Sequence, residues 1–193
     1  MITLPTVPAV RHQEVEPIDT GFTQRAVSGA ALRIDRPGSR LRLHFEFPPM
    51  DPASARVFEV RLQQARSGGL RHPVSLIGGS QGLPGATVVN GTDSGGTVLK
   101  VTGGNPGYVV REGYWLNVIH AGLRYLHRVT AAATLNGSGA ATLAVEPPLR
   151  IFPSNGDSVE LAAPVIEGEC SFERFVHPVN RRITLAMTIE ESA

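Results

Sequence analysis

Residues 113–150 read GYWLNVIHAGLRYLHRVTAAATLNGSGAATLAVEPPLR, and this stretch decides the fold class. Residues 114–120 have strand composition, and Ala121-Gly122 makes a tight turn. Residues 123–134 read as a second, long strand, and Asn136-Gly137 is a hairpin signal. Residues 140–146 read as a third strand, with Ala141, Leu143 and Val145 on one face. Pro147-Pro148 ends it, because proline has no N–H to give to a ladder. Asn155-Gly156-Asp157 then turns the chain into a fourth strand, 158–162. The product is an antiparallel meander that closes as a small barrel or packs as a sandwich.

Working outward, the segment upstream holds the clearest single strand. In RLRLHFEF, residues 40–47, Leu41, Leu43, Phe45 and Phe47 fall on one face and Arg40, Arg42, His44 and Glu46 on the other. Pro48-Pro49 ends it. Asp51 then caps a helix over about residues 51–66, with Pro52 at its first position. Ala55, Phe58, Leu62 and Ala65 line one side of that helix, and Gly68-Gly69 stops it. Residues 71–76 read as a strand. Residues 78–107 read as short strands on long glycine-rich turns, among them the alternating run 97–101. Residues 1–20 are proline-rich without periodicity, which predicts an extended arm, loose or lying on a neighbouring subunit. Short strands are predicted within 21–28 and at 31–35.

Downstream, 171–176 reads as a strand. Residues 182–190 alternate, with Ile183, Leu185, Met187 and Ile189 on one face. This last strand matches 40–47 in pattern, so the two belong to one sheet packed on the helix. The predicted fold is mainly β. A split β-sheet domain with one packing helix uses residues 1–70 and 165–193, and an inserted antiparallel β-barrel or sandwich domain spans 71–164. Its expected outer-domain core is Leu41, Leu43, Phe45, Phe58, Leu62, Ile183, Leu185 and Met187.

Composition narrows the function. The chain of 193 residues can bury a real core. A net charge of +1 gives no overall pull toward polyanions or membrane surfaces. Only 6% of residues are aromatic, which argues against a stacking platform for single strands of nucleic acid. The single cysteine, Cys170, excludes an internal disulfide and a cysteine zinc site, and points to a reducing compartment. The first residues lack the basic-then-apolar pattern of a signal peptide.

The residues that usually carry chemistry do not converge in sequence. None of the six histidines has metal-ligand spacing on one helix. His120 and His127 flank a turn and are expected to approach across it as a surface or interface pair. Cys170 reads as a buried inert thiol. Glu112, Glu146 and Glu160 lack distinguishing context, and the glycine runs at 78–82 and 95–96 precede no phosphate-binding helix. The expectation is a protein that is not an enzyme, with no catalytic, cofactor or metal site. The charges that stand out are Arg40, Arg42, Arg181 and Arg182. They are expected to meet acids such as Glu190 and Glu191 of an adjacent subunit and to orient the two copies.

This layout resembles minor tail proteins of long-tailed bacteriophages and gene transfer agents. The resemblance is carried by residues 40–47, the helix after Asp51, the 113–150 block with its Pro-Pro-Leu-Arg close, and the final strand RRITLAMTIEESA. It is closest to the distal tail protein family. That resemblance implies a virion protein built in the host bacterial cytoplasm: a hexameric ring joining the tail tube to the tail tip or hub, with an added β-domain projecting outward. Tail tube, tail terminator and neck proteins are alternatives within the virion. A glycan-binding β-module for host adsorption is the alternative of another class, with Tyr108, Tyr114, Trp115 and Tyr125 as its aromatics. Many distal tail proteins carry a galectin-like domain at the C-terminus, for which these 193 residues are expected to leave no room.

Overall fold

Both halves of the chain contribute strands to one sheet, and a barrel forms between them. In chain order the strands are β1 (Ile2–Thr3), β2 (His12–Ile18), β3 (Phe22–Arg25), β4 (Ala31–Ile34) and β5 (Arg40–Glu46), followed by a helix, α1 (Pro52–Gly68). Then come β6 (Leu70–Pro73), β7 (Gly85–Val89), β8 (Gly96–Gly104), β9 (Val109–Val110), β10 (Trp115–His120) and β11 (Leu123–Val129). The last are β12 (Ala133–Thr134), β13 (Ala141–Leu149), β14 (Ser158–Glu160), β15 (Val165–Ser171) and β16 (Ala186–Glu191). The computed structural model describes residues 1–34, 38–172, 175 and 182–192.

Six strands form a sheet in the order β1-β6-β15-β16-β5-β2, and β10-β11-β13-β8-β7-β14 close a barrel. The barrel strands are all antiparallel. In the sheet only the β1–β6 pair is parallel. The fold is therefore mainly β, with one packing helix and a closed antiparallel barrel, as the sequence predicts. In sequence, the barrel strands all lie between β6 and β15, which pair with each other in the sheet.

Alternation builds the sheet. Leu41, Leu43, Phe45 and Phe47 are buried together with Ile183, Leu185, Met187 and Ile189. Phe45 lies opposite Met187, and Leu43 opposite Ile189. Against this face packs α1, through Ala55, Phe58, Leu62 and Ala65. The Phe47 and Phe58 rings meet edge to face at 5.0 Å. The helix begins where Asp51 accepts hydrogen bonds from Ala53 N and Ser54 N at 2.9 and 3.1 Å. It ends at Gly69, whose N–H returns to Ala65 O. Between β15 and β16 the backbones crowd at Gly168, where an added Cβ would stand 1.9 Å from Glu190 O. Only glycine permits that approach.

The barrel buries Val89, Leu99, Val101, Val110, Leu116, Val118 and Val129 with Leu143, Val145 and Val159. Its β10–β11 hairpin turns at Ala121 and Gly122, both with positive φ, the turn hand that suits the twist of paired strands.

Several sequence expectations are corrected. Residues 1–20 are not a loose arm: β1 and β2 form the two edges of the sheet. β2 (HQEVEPI) hides as a strand because an edge strand with one charged face carries little apolar alternation. The long strand at 123–134 is two strands. β11 stays in the barrel, while β12 leaves it to pair with β9. The three alanines at 131–133 carry no pattern that would mark the break.

Asn136-Gly137 does form a tight hairpin turn, in which Asn136 N donates to Ala140 O and Gly139 N to Asn136 O, both at 2.9 Å, but the flanking β12 and β13 continue into different sheets. The Asn136 carboxamide also accepts from Ser138 N, Ser138 Oγ and Ala140 N. The left-handed residue is Gly139, where a Cβ would fall 2.1 Å from Gly104 O. Pro147-Pro148 does not end β13, which runs on to Leu149. The ladder to β8 is irregular between Ala144 and Leu149, so the missing N–H groups fall where none is used. The strand expected at 171–176 is β15, ending at Ser171; residues 173, 174 and 176 lie outside the described residues. Glu167, Gly168 and Glu169 had broken its hydrophobic pattern.

Candidate functional site

Period-two alternation sends Arg40, Arg42, His44 and Glu46 of β5 to the face of the sheet away from α1. In register beside them stand Glu190 and Thr188 of β16 and Glu14 and Glu16 of β2. The charges form a ladder across three strands. Arg42 donates to Glu190 Oε2 at 2.7 Å and to Glu16 Oε2 at 2.8 Å. Arg40 Nε donates to Glu190 Oε1 at 2.8 Å, and its Nη2 reaches the same oxygen. Hydrogen bonds from Arg42, then Arg40, hold the Glu190 carboxyl below its usual range against the opposing effect of burial. The Arg42 guanidinium is raised by Glu190 first and Glu16 second.

Of the residues singled out in sequence, the structure brings together Arg40, Arg42 and Glu190 within one chain. Glu191, the next residue, points to the other side and is buried. Arg182 is exposed outside the strands, and Arg181 lies outside the described residues.

Glu191 fills a role that sequence reasoning missed. Its Oε2 accepts from Leu41 N of the sheet at 3.0 Å, and its Oε1 accepts from Leu126 N of the barrel at 2.7 Å. Arg150, also buried, approaches Oε1 at 3.2 Å and donates to Ser192 O at 2.8 Å. One carboxylate thus joins sheet to barrel. Burial raises its pKa, while Arg150 and the two backbone donors oppose the shift. Alternation was the available signal, since Glu191 follows Met187 and Ile189 on the buried side.

Two more joints are made by amides. Asn117, wholly buried, exchanges two hydrogen bonds with Val165, accepting from its N at 2.7 Å and donating to its O at 2.8 Å. Gln81 accepts from Trp115 N at 2.7 Å and donates to Trp115 O and Leu161 O. Each side chain does the work of a strand partner where the ladder ends. Nothing in the local sequence marks either residue.

The histidine expectation is also corrected. His127 lies opposite Leu116, not His120, and is buried, its Nδ1 2.7 Å from Pro147 O. His120 pairs with Asp157 at 2.7 Å. Burial pushes the His127 imidazole down to about 4, with Arg150 adding to the effect and the Pro147 hydrogen bond opposing it. His72, edge-on to Phe45 at 4.7 Å, is likewise pushed down to about 4 by burial. Cys170 is buried, and burial raises its thiol to about 11, so it is held as an unreactive thiol.

Trp115 is buried beneath the Arg128 guanidinium, 5.1 Å from its ring centre. Tyr108, Tyr114 and Tyr125 are half-buried against the barrel core. Among the described residues no three His, Cys, Asp or Glu side chains gather as metal ligands. No protein-family model matches the chain, and no curated protein matches it.

Proposed function

We propose that this chain is a structural subunit of a bacteriophage tail, a distal tail adaptor that forms a hexameric ring between tail tube and tail tip or hub. The reading is supported by one observation above others. Both halves of the chain build one sheet, with a closed barrel between them in sequence, and among the described residues that sheet keeps an open seven-residue edge, β2, beside a charged outer face. An open edge and an ordered charged face are surfaces that a neighbouring copy can cover. The barrel, with its edges closed on one another, suits a projecting part. In this role the protein needs no catalytic residue, and the charged side chains of the face set orientation between neighbours.

The test is the mass and shape of the assembled protein. Light scattering and electron microscopy of the full chain, alone and with its tail-tube neighbour, should give rings of six. A protein that stays monomeric at high concentration, with and without tail components, would overturn the reading.

A further inference from the structure

Between residues 20 and 34 the charged residues are Arg25 and Arg33, both cations. They belong to the β3–β4 hairpin, which among the described residues shares no ladder with the sheet or the barrel. All of β3 is exposed. Leu32 is 61% exposed and Val27, at the tip, is fully in solvent. The register sets Phe22 opposite Ile34 and Gln24 opposite Leu32, so one face is mostly apolar; the alternate face carries Thr23, Arg25 and Ala31. A two-stranded hairpin by itself is marginal in water. A surface that covered this one would stabilise it.

The outer face of the sheet has the opposite charge. A groove of about 620 Å³ crosses it, lined by Glu14, Glu16 and Glu190 with Arg42, His44 and Thr188. Three carboxylates line it with one guanidinium, and Arg40 beside the groove also pairs with Glu190, so the uncompensated charge lies at Glu14 and Glu16. Arg42 spans Glu16 and Glu190, which leaves Glu14 with His12 as its partner at 3.1 Å. Val15, between the two β2 acids, pairs with Leu43 and by alternation faces the other side of the sheet.

We propose that the β3–β4 hairpin of one copy seats on this acidic groove of a second copy, with Arg25 against Glu14 and Glu16. Hairpin and groove are different surfaces, so the contact runs head to tail and repeats around a ring when the rotation closes. The inference rests on the self-assembly proposed above and supplies a contact for it. Opposite charge sets the orientation, and Val27 at the tip adds apolar area.

The experiment uses the full chain and follows association by light scattering across concentration. Arg25→Glu should weaken association about tenfold or more, the scale of one lost interfacial charge pair. Glu14→Arg should weaken it similarly, and the double exchange Arg25→Glu with Glu14→Arg should restore it. Val27→Asp, a tip variant that leaves both charges in place, should also weaken it. Circular dichroism should show each variant folded, since the hairpin lies outside both cores. The contact is overturned if Arg25→Glu and Val27→Asp both assemble with unchanged affinity; rings that persist in that case leave the ring reading standing. A wild-type chain that is monomeric throughout overturns both. Loss of binding to a DNA duplex in Arg25→Glu, with assembly unchanged, would assign the hairpin to nucleic acid and overturn the contact as well.

Discussion

The barrel and the six-stranded sheet are built from similar strands but solve the edge problem differently. Barrel strands pair on both sides until the ring closes. Where a ladder stops, Gln81, Thr87 and Asn117 supply the missing partners from buried side chains. The sheet stays open, with a two-residue strand at one edge and β2 at the other. Its buried face is sealed by α1, and its outer face carries a ladder of ion pairs. The difference teaches where each part's stability comes from. The barrel closes its strand edges on one another and meets the sheet at joints such as Glu191 and Asn117, whereas the sheet keeps bonding capacity and charge at its surface.

The carboxylate that holds the two together is the place to break this comparison. Glu191→Leu would strand Leu41 N, Leu126 N and the buried Arg150 charge. A loss of roughly 3–5 kcal/mol in urea unfolding is expected, the usual cost of removing one partner of a buried pair. Trp115 lies on a barrel strand yet packs in the sheet's core, so its fluorescence reports on the joint. Its transition should separate from the far-ultraviolet transition in this variant, and coincident transitions would show that the joint does not couple the two parts.

Next in size per group is the effect of acid, which acts on both parts. His72 in the sheet core and His127 beside the joint are held neutral in the fold, with pKa values pushed from 6.5 to about 4 by burial. The unfolded chain binds more protons between these values, so the stability is fully present above pH 6.5 and is lost as pH falls toward 4. Each imidazole accounts for about 3 kcal/mol over that window. His72→Phe should flatten the dependence measured by urea midpoints between pH 7 and 4.5, and an unchanged slope would contradict the assignment.

A smaller loss is expected at Asn117→Leu, which leaves Val165 N and O without partners at the start of β15. About 2 kcal/mol is reasonable for buried groups left unsatisfied. Hydrogen exchange at Val165 should speed up while the interior of β13 stays protected; uniform acceleration would mean the amide is not a local plug. The smallest effect on the folded chain should come from Glu190→Gln on the exposed ladder, within about 1 kcal/mol because solvent screens such pairs. If the outer face is an assembly surface, this variant should alter association more than it alters unfolding.

The legible parts of the fold were those where periodicity and burial agree. RLRLHFEF, the helix after Asp51 and the alternation at 183–189 each announced a buried face, and each buries it. The parts that misread were those set by partners distant in sequence. β2 is a strand because β5 accepts it, and β12 leaves the barrel because β9 is there to receive it. Of the candidate surface, Arg40, Arg42 and Glu190 were legible as charges on alternating strands. That Glu190 serves both arginines of its own chain depends on the β5–β16 register. That Glu191 turns inward depends on the barrel placed over it.

The sequence by itself determined a mainly β chain with one capped helix, because alternation, capping and turn residues act over a few positions. It also determined the charge on each strand face. The tertiary structure alone decided closure of the barrel, the two sheet edges, and the roles of Gln81, Asn117, His127 and Glu191. Those depend on which backbone groups remain unpaired once strands far apart in sequence have met, and local patterning carries no record of that.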